Sequence, residues 1–139
     1  MIVLDTNVVS ELLNPVPNPR VVQWVGGSAP SSFYLTATSL TELLSGVEFL
    51  PAGKKRDLLA VEMNNLVGIL FQNRILSFDR VAAEALSKMR ARARALGRPL
   101  PFGDGQIAAI AQVNGFTVAT RDTGPFEAAG AAFVNPWEI

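Results

Sequence analysis

The strand-like apolar runs of this chain are separated by helical stretches rather than by hairpin turns, and that alternation constrains the fold more than any other feature. Met1-Ile2-Val3-Leu4 is a short apolar run that stops abruptly at Asp5-Thr6-Asn7, so residues 2–5 read as a buried strand feeding a short helix through Leu13. Asn14-Pro15-Val16-Pro17-Asn18-Pro19 is a stiff loop, because each proline fixes φ and removes a backbone donor. A second short helix over 19–25 ends at Gly26-Gly27, and Phe33-Tyr34-Leu35-Thr36 reads as the second strand. Leu40, Leu43, Leu44, Val47 and Leu50 then follow the spacing of one helix face until Pro51-Ala52-Gly53 breaks it. Residues 54–70 carry another stripe, Leu59, Met63, Leu66 and Leu70.

The second half continues the alternation. Residues 74–78 form a third strand, and Asp79 caps a long helix whose stripe is Ala82, Leu86, Met89, Ala93 and Leu96. After the break at Gly97-Arg98-Pro99-Leu100-Pro101, a helix opens near Phe102 and runs to Asn114, with Gly115 just past its end. Strands over 116–120 and 131–134 complete the series. Crossover connections imply parallel neighbours. The expected fold is therefore a three-layer α/β/α domain around a parallel sheet of about five strands, one domain over residues 1–139.

Composition fits that expectation and narrows the chemistry. Hydrophobic residues make up 49% and charged residues 17%, the balance of a chain with a core rather than a disordered one. There is no cysteine and no histidine, so thiolate nucleophiles, disulfides and imidazole-ligated metals are excluded. The N-terminus has no basic region before its apolar run and meets an acid at position 5, unlike a secretory signal. No apolar run approaches the ~18–20 residues that cross a bilayer. The expectation is a soluble, cytoplasmic protein with no membrane role.

Four acids stand at junctions between elements: Asp5, Glu42, Asp104 and Asp122. Each has an ordinary explanation. Asp5 could cap the helix that starts at Thr6. Ser39-Leu40-Thr41-Glu42 fits the S-x-x-E capping box. Asp122, in Arg121-Asp122-Thr123-Gly124-Pro125, could be a turn residue. Asp104 resists such a reading, because its helical neighbours Ile107, Ala108 and Ala111 put it on the face that packs on the sheet. No cation stands nearby in sequence to serve it. With Asp5 and Asp122 after strands, and Glu42 and Asp104 in the first turns of helices, parallel topology would bring all four to one sheet edge. Crowded carboxylates then call for protonation or a metal.

The net charge is zero, from 12 basic and 12 acidic residues, but the distribution is uneven. Lys88, Arg90, Arg92, Arg94 and Arg98 fall within eleven residues without one acid. The strip is either the solvated side of a helix or, with Arg121, a guide for a polyanion whose reacting group meets the acids. Glu84 stands one turn before Lys88 and is placed to pair with it.

In these residues the chain resembles the PIN-domain family, and in particular bacterial VapC-type toxins of the FitB-like branch. The resemblance rests on Ile2-Val3-Leu4-Asp5-Thr6-Asn7, Thr41-Glu42-Leu43-Leu44-Ser45-Gly46-Val47, Gly103-Asp104-Gly105-Gln106-Ile107-Ala108-Ala109, Val118-Ala119-Thr120-Arg121-Asp122 and Phe133-Val134-Asn135-Pro136-Trp137. Each motif alone is weak, and the ordered set spans essentially the whole chain. The resemblance implies an RNase H/5′-nuclease-like fold and a metal-dependent endoribonuclease. It also implies a homodimer held in check by a partner antitoxin. Carried over by position, Asp5, Glu42 and Asp104 match the family's invariant acids, and Asp122 its more variable fourth polar position. Asn7 and Thr120 match polar positions that orient the acids, with Thr6 beside them. An oxygen-only donor set favours Mg²⁺ or Mn²⁺. A water made acidic by such an ion would attack the phosphodiester in line, expel the 3′ oxygen and leave a 5′-phosphate.

Two rival classes share part of this pattern. A phosphoacceptor receiver also has acids at strand ends, but would show paired acids after its first strand and a lysine after its fifth. Here a single acid follows the first, and Asn135-Pro136-Trp137 follows the fifth. A non-catalytic binding module of the same fold has no need of the full acidic set.

Overall fold

The computed structural model describes every residue from Met1 to Ile139. Its strands are β1 (Ile2–Leu4), β2 (Phe33–Thr36), β3 (Ile75–Leu76), β4 (Thr117–Ala119) and β5 (Phe133–Val134). Its helices are α1 (Thr6–Leu12), α2 (Pro19–Gly26), α3 (Ala37–Glu48), α4 (Lys54–Phe71), α5 (Arg80–Ala95), α6 (Phe102–Val113) and α7 (Gly124–Ala129). The strands form one sheet in the order β3-β2-β1-β4-β5, and all four neighbouring pairs are parallel.

The central strands explain why their sequence is apolar without alternation. Val3 and Val118 point into a core shared with α5, α6 and α7, whereas Leu4 and Ala119 point into the core beneath α1 to α4. Successive side chains on a strand face opposite sides, so a strand covered on both faces must be apolar throughout. The sheet order also fixes where ligands are held. From β1 the chain builds outward through β2 and β3, then returns across the sheet to lay β4 on the other side of β1. The reversal between β1 and β4 opens a crevice at the carboxyl ends of those strands. A receiver domain has the order 2-1-3-4-5, so this sheet excludes that rival.

Several expectations need correction in detail. β3 is two residues long rather than five, and β4 and β5 are shorter than expected. Leu96 is the C-cap of α5 and 53% exposed, not the last member of its stripe. Glu84 pairs with Arg80 at 3.0 Å instead of Lys88. α7 had no counterpart in the sequence reading, since six residues are too few to display a helical period. The helix α3 begins at Ala37, capped by the Thr36 hydroxyl, which accepts from Ser39 N–H at 3.0 Å. The S-x-x-E capping box is therefore not formed. Glu42 lies in the second turn of α3, not the first.

Asp79 caps α5 as expected, accepting from Ala82 N–H at 2.9 Å. Gly115 closes α6 with φ +71°, a conformation that favours glycine. Inside α6, Gly105 allows close seating on α5, because a Cβ there would lie 2.7 Å from Leu86 Cδ1. That contact sets the depth of the helix whose first turn carries Asp104.

Candidate active site

Asp5 follows β1 as the N-cap of α1, and its carboxylate is almost wholly buried, with 4% of the residue exposed. Thr6 N–H donates to its Oδ1 at 2.7 Å. The Thr120 hydroxyl donates to Oδ2 at 2.8 Å, and Asn7 Nδ2 donates to the same oxygen at 3.2 Å. Both readings of Asp5 are thus realised at once: it caps a helix, and it faces the crevice.

Thr120 is the hub of this network. A hydroxyl has one proton and two lone pairs. The proton goes to Asp5, while Asn7 Nδ2 (3.3 Å) and Asp122 N–H (3.1 Å) both donate to its oxygen. The Asn7 side-chain oxygen in turn accepts from Arg121 N–H at 3.2 Å. The ends of β1 and β4 are thereby tied together on either side of the crevice.

Asp104 sits in the first turn of α6, which has no side-chain cap. The free N–H groups and positive end of that helix lower the cost of an anion there. Asp5, Glu42, Asp104 and Asp122 all line one cavity, together with Thr6, Asn7, Ser10, Glu11, Asn14, Arg121 and Trp137. Glu42 and Asp104 also border a second hollow between the starts of α3 and α6, with Thr38, Gly103 and Gln106. A Cβ on Gly103 would lie 3.5 Å from Glu42 Oε1, so the glutamate rests over a stretch of bare backbone.

Electrostatics reflect the crowding. Burial pushes the Asp5 carboxyl above its ordinary value, and the charges of Glu42 and Asp122 add to this; the Thr120 and Thr6 hydrogen bonds offset only part of it. Glu42 is raised by burial and then by Asp104. The Thr6 hydroxyl holds Glu42 down slightly, although it closes no well-formed hydrogen bond. Asp104 is pushed up to about 6, mainly by burial and then by Asp5 and Asp122. None of the four is ion-paired, since the salt bridges of the molecule are Arg80–Glu84 and Arg98–Glu127. As the side chains stand, no three acids converge on a single point. The donor set nevertheless suits a hard dication. It is all oxygen and of one sign, with Asp5 fixed by three hydrogen bonds while Glu42 and Asp122 are exposed and unpaired.

The basic residues divide. Arg121 lines the acidic cavity, and its guanidinium lies 5.5 Å from the centre of the Trp137 ring. Arg90, Arg94 and Arg98 border a separate groove with Leu100, and Arg90 lies 5.5 Å from the centre of the exposed Phe102 ring. Lys88 and Arg92 line a further hollow beside Gly130, at the end of α7. Arg98 is engaged by the Glu127 carboxylate at 3.2 Å and the Gly124 carbonyl at 3.3 Å. Lys88 and Arg92 thus face one hollow and Arg90, Arg94 and Arg98 another, the two lines that helical spacing along α5 sets on either side of its apolar stripe.

Four residues of the cavity escaped the sequence reading: Ser10, Glu11, Asn14 and Trp137. Glu11 accepts from Asn18 N–H at 2.7 Å and so is already used in holding the proline-rich loop. Trp137 had been noticed only as part of a closing motif. No spacing rule connects it to Arg121.

Fold and site together define an α/β/α domain with a crevice of unpaired carboxylates at the switch point of a parallel sheet. The chain belongs to the PIN-domain family, whose model, described as "PIN domain", matches residues 2–131. It is 46% identical over 138 residues to the plasmid stability protein StbB of Pseudomonas syringae pv. tomato, covering 99% of each chain. It is 42% identical over 138 residues to the VapC ribonuclease Y4jK of Sinorhizobium fredii, again covering 99% of each. The crystal structure of FitAcB from Neisseria gonorrhoeae contains a chain that superposes with a TM-score of 0.94 at 44% identity, covering 100% of both chains. No helix is long and apolar enough to cross a membrane.

Proposed function

We propose that this protein is a Mg²⁺- or Mn²⁺-dependent endoribonuclease acting as the toxin of a toxin–antitoxin pair. One observation carries the reading. Four carboxylates from four separate segments line a single cavity, and none has a cationic side chain as partner. Whole-chain similarity to a protein named as a VapC ribonuclease, and to a chain of the FitAcB complex, supports the substrate class and the partner.

Asp5 and Asp104 are the principal ligands in this reading, with Glu42 and Asp122 swinging in to complete the set or to position water. A hard dication supplies charge neutralisation at the phosphate and an acidified water. The chain supplies the rest. Thr120, Asn7 and Thr6 hold Asp5 in one orientation, the supporting role hydrogen-bond partners play around metal ligands. The free start of α6 favours the ionised form of Asp104 once a cation relieves its neighbours.

The antitoxin reading has its own support. A largely apolar groove between α1, α3 and α4, bordered by Leu13, Val47, Leu58, Leu59 and Met63, shares Thr6 and Glu42 with the acidic cavity. A partner segment with an apolar face and one arginine would fill the groove and set its guanidinium among the acids. A homodimer is part of the same proposal, and Leu58, Val61 and Ile69 on α4 are exposed apolar candidates for contact.

The test is cleavage of single-stranded RNA with Mg²⁺ or Mn²⁺ by the wild type, Asp5→Asn and Asp104→Asn. Loss of cleavage by about 100-fold or more in both variants is expected, the scale of removing a group that acts on transition-state charge. Equal cleavage by all three would reject the assignment.

A further inference from the structure

The acidic cavity contains a single cation, Arg121, and it is not paired with any of the acids around it. Its guanidinium instead lies against the Trp137 ring, 5.5 Å from the ring centre. Asp122 is its immediate neighbour in sequence, and Asp5, Glu42 and Asp104 line the same cavity, yet no carboxylate oxygen lies within ion-pair distance of it. A flexible arginine among four carboxylates would ordinarily settle on one of them. Here an aromatic face competes for it.

The ring is itself held in place. Trp137 N–H donates to Asn135 Oδ1 at 3.0 Å, and Arg20 Nη1 donates to the Trp137 carbonyl at 3.3 Å. The ring packs against the core beneath α1 to α4. At the other end, Arg121 N–H is fixed by Asn7 Oδ1, the residue that also donates to Asp5. Backbone and side chain of Arg121 are thus anchored by different elements, with the charged head exposed at the cavity edge.

We propose that Trp137 is a positioning residue that keeps Arg121 off the carboxylates, so that its guanidinium is free to bind a phosphate of the RNA backbone beside the scissile bond. The proposal rests on the endoribonuclease reading above. The guanidinium makes no ion pair within the protein, which leaves free the N–H donors that grip a phosphate in paired hydrogen bonds. Without the ring, Arg121 falls back onto the acids, where it neutralises the site and loses its hold on substrate.

The experiment compares wild type, Arg121→Ala, Trp137→Ala, Trp137→Phe and the Arg121→Ala/Trp137→Ala double variant. Steady-state cleavage of a single-stranded RNA with Mg²⁺ gives kcat and KM. Anisotropy with a labelled random-sequence RNA, at several salt concentrations, gives affinity in an Asp104→Asn background where cleavage does not consume the probe. Arg121→Ala should raise KM and Kd by about tenfold and reduce the salt slope by about one. Trp137→Ala should move KM the same way by about three- to fivefold, and add nothing once Arg121 is gone. Trp137→Phe should fall within about twofold of wild type, because its ring keeps the cation contact. A Trp137→Ala protein that melts earlier but keeps the wild-type KM and salt slope would overturn the proposal. Multiplying effects in the double variant would do the same. Cleavage by wild type with no change in Arg121→Ala sinks this inference alone, whereas no RNA cleavage by wild type sinks the endoribonuclease reading with it.

Discussion

Asp104→Asn should stabilise the metal-free protein, although it removes a charge from the centre of the site. The side chain accepts no hydrogen bond from the protein, so the isosteric amide breaks none that Asp104 accepts, and it relieves repulsion on Asp5 and Glu42. Its carboxyl is raised from 3.8 to about 6. A raised acid binds protons more tightly when folded, so its ionisation opposes folding. The destabilisation is absent below about pH 3.8 and grows progressively as pH rises to about 6. A shift of about two units corresponds at face value to ~3 kcal/mol. The group is about half in solvent, and screening reduces this to ~1 kcal/mol. That is about 3–5 °C in Tm for a domain of this size. Thermal melts of wild type and variant in EDTA at pH 7.5 and 4.5 read the effect, and the gain should be smaller at the lower pH than at the higher. Adding Mg²⁺ at pH 7.5 should raise the wild-type Tm and narrow or reverse the gap, because only the intact acid set binds the ion strongly. An equal gain at both pH values, or a loss at pH 7.5, would refute the electrostatic account of the cavity.

Three further substitutions probe the supports of the site and of the helix that carries Glu42. Thr120→Val removes the hydroxyl that orders Asp5, Asn7 and Asp122 while keeping side-chain shape. A loss of ~1–3 kcal/mol is expected in urea unfolding at pH 7.5, since buried Asp5, half-buried Asn7 and the Asp122 N–H each lose a bond. Thr36→Val should cost about 0.5–2 kcal/mol as a lost helix cap. Ser39→Ala should cost less than about 0.5 kcal/mol, because the Ser39 hydroxyl makes no hydrogen bond. The reverse order in unfolding midpoints would restore the capping box.

Some of the molecule was open to reading from residues alone because the signals are local. The apolar run ending at Asp5 marks a strand covered on both faces. Asp79 and Gly115 mark the start of α5 and the end of α6 by side-chain and backbone chemistry that needs no partner. The apolar stripe behind Asp104 showed that this acid starts on the buried side of its helix. Where the signal depended on a neighbour, the reading failed. The strand ends at Thr36 as read, but Glu42 looked like a capping residue because Ser39-Leu40-Thr41-Glu42 has the right residue types, whereas the helix starts straight after the strand and Thr36 takes the cap. α7 went unread because six residues are too few to display a helical period.

What the sequence by itself determined is the class of fold and the candidacy of the four acids, since periodicity, capping and oxygen-only chemistry are properties of short stretches. Only the tertiary structure decided that the acids share one cavity, that Thr120 gathers Asp5, Asn7 and Asp122, and that the cavity's one cation rests on Trp137. Those facts follow from β4 crossing back beside β1 and from the closing segment folding under Arg20. Contacts such as that of Asp5 with Thr120 leave no period in the chain, because the sheet, not the local backbone, carries them.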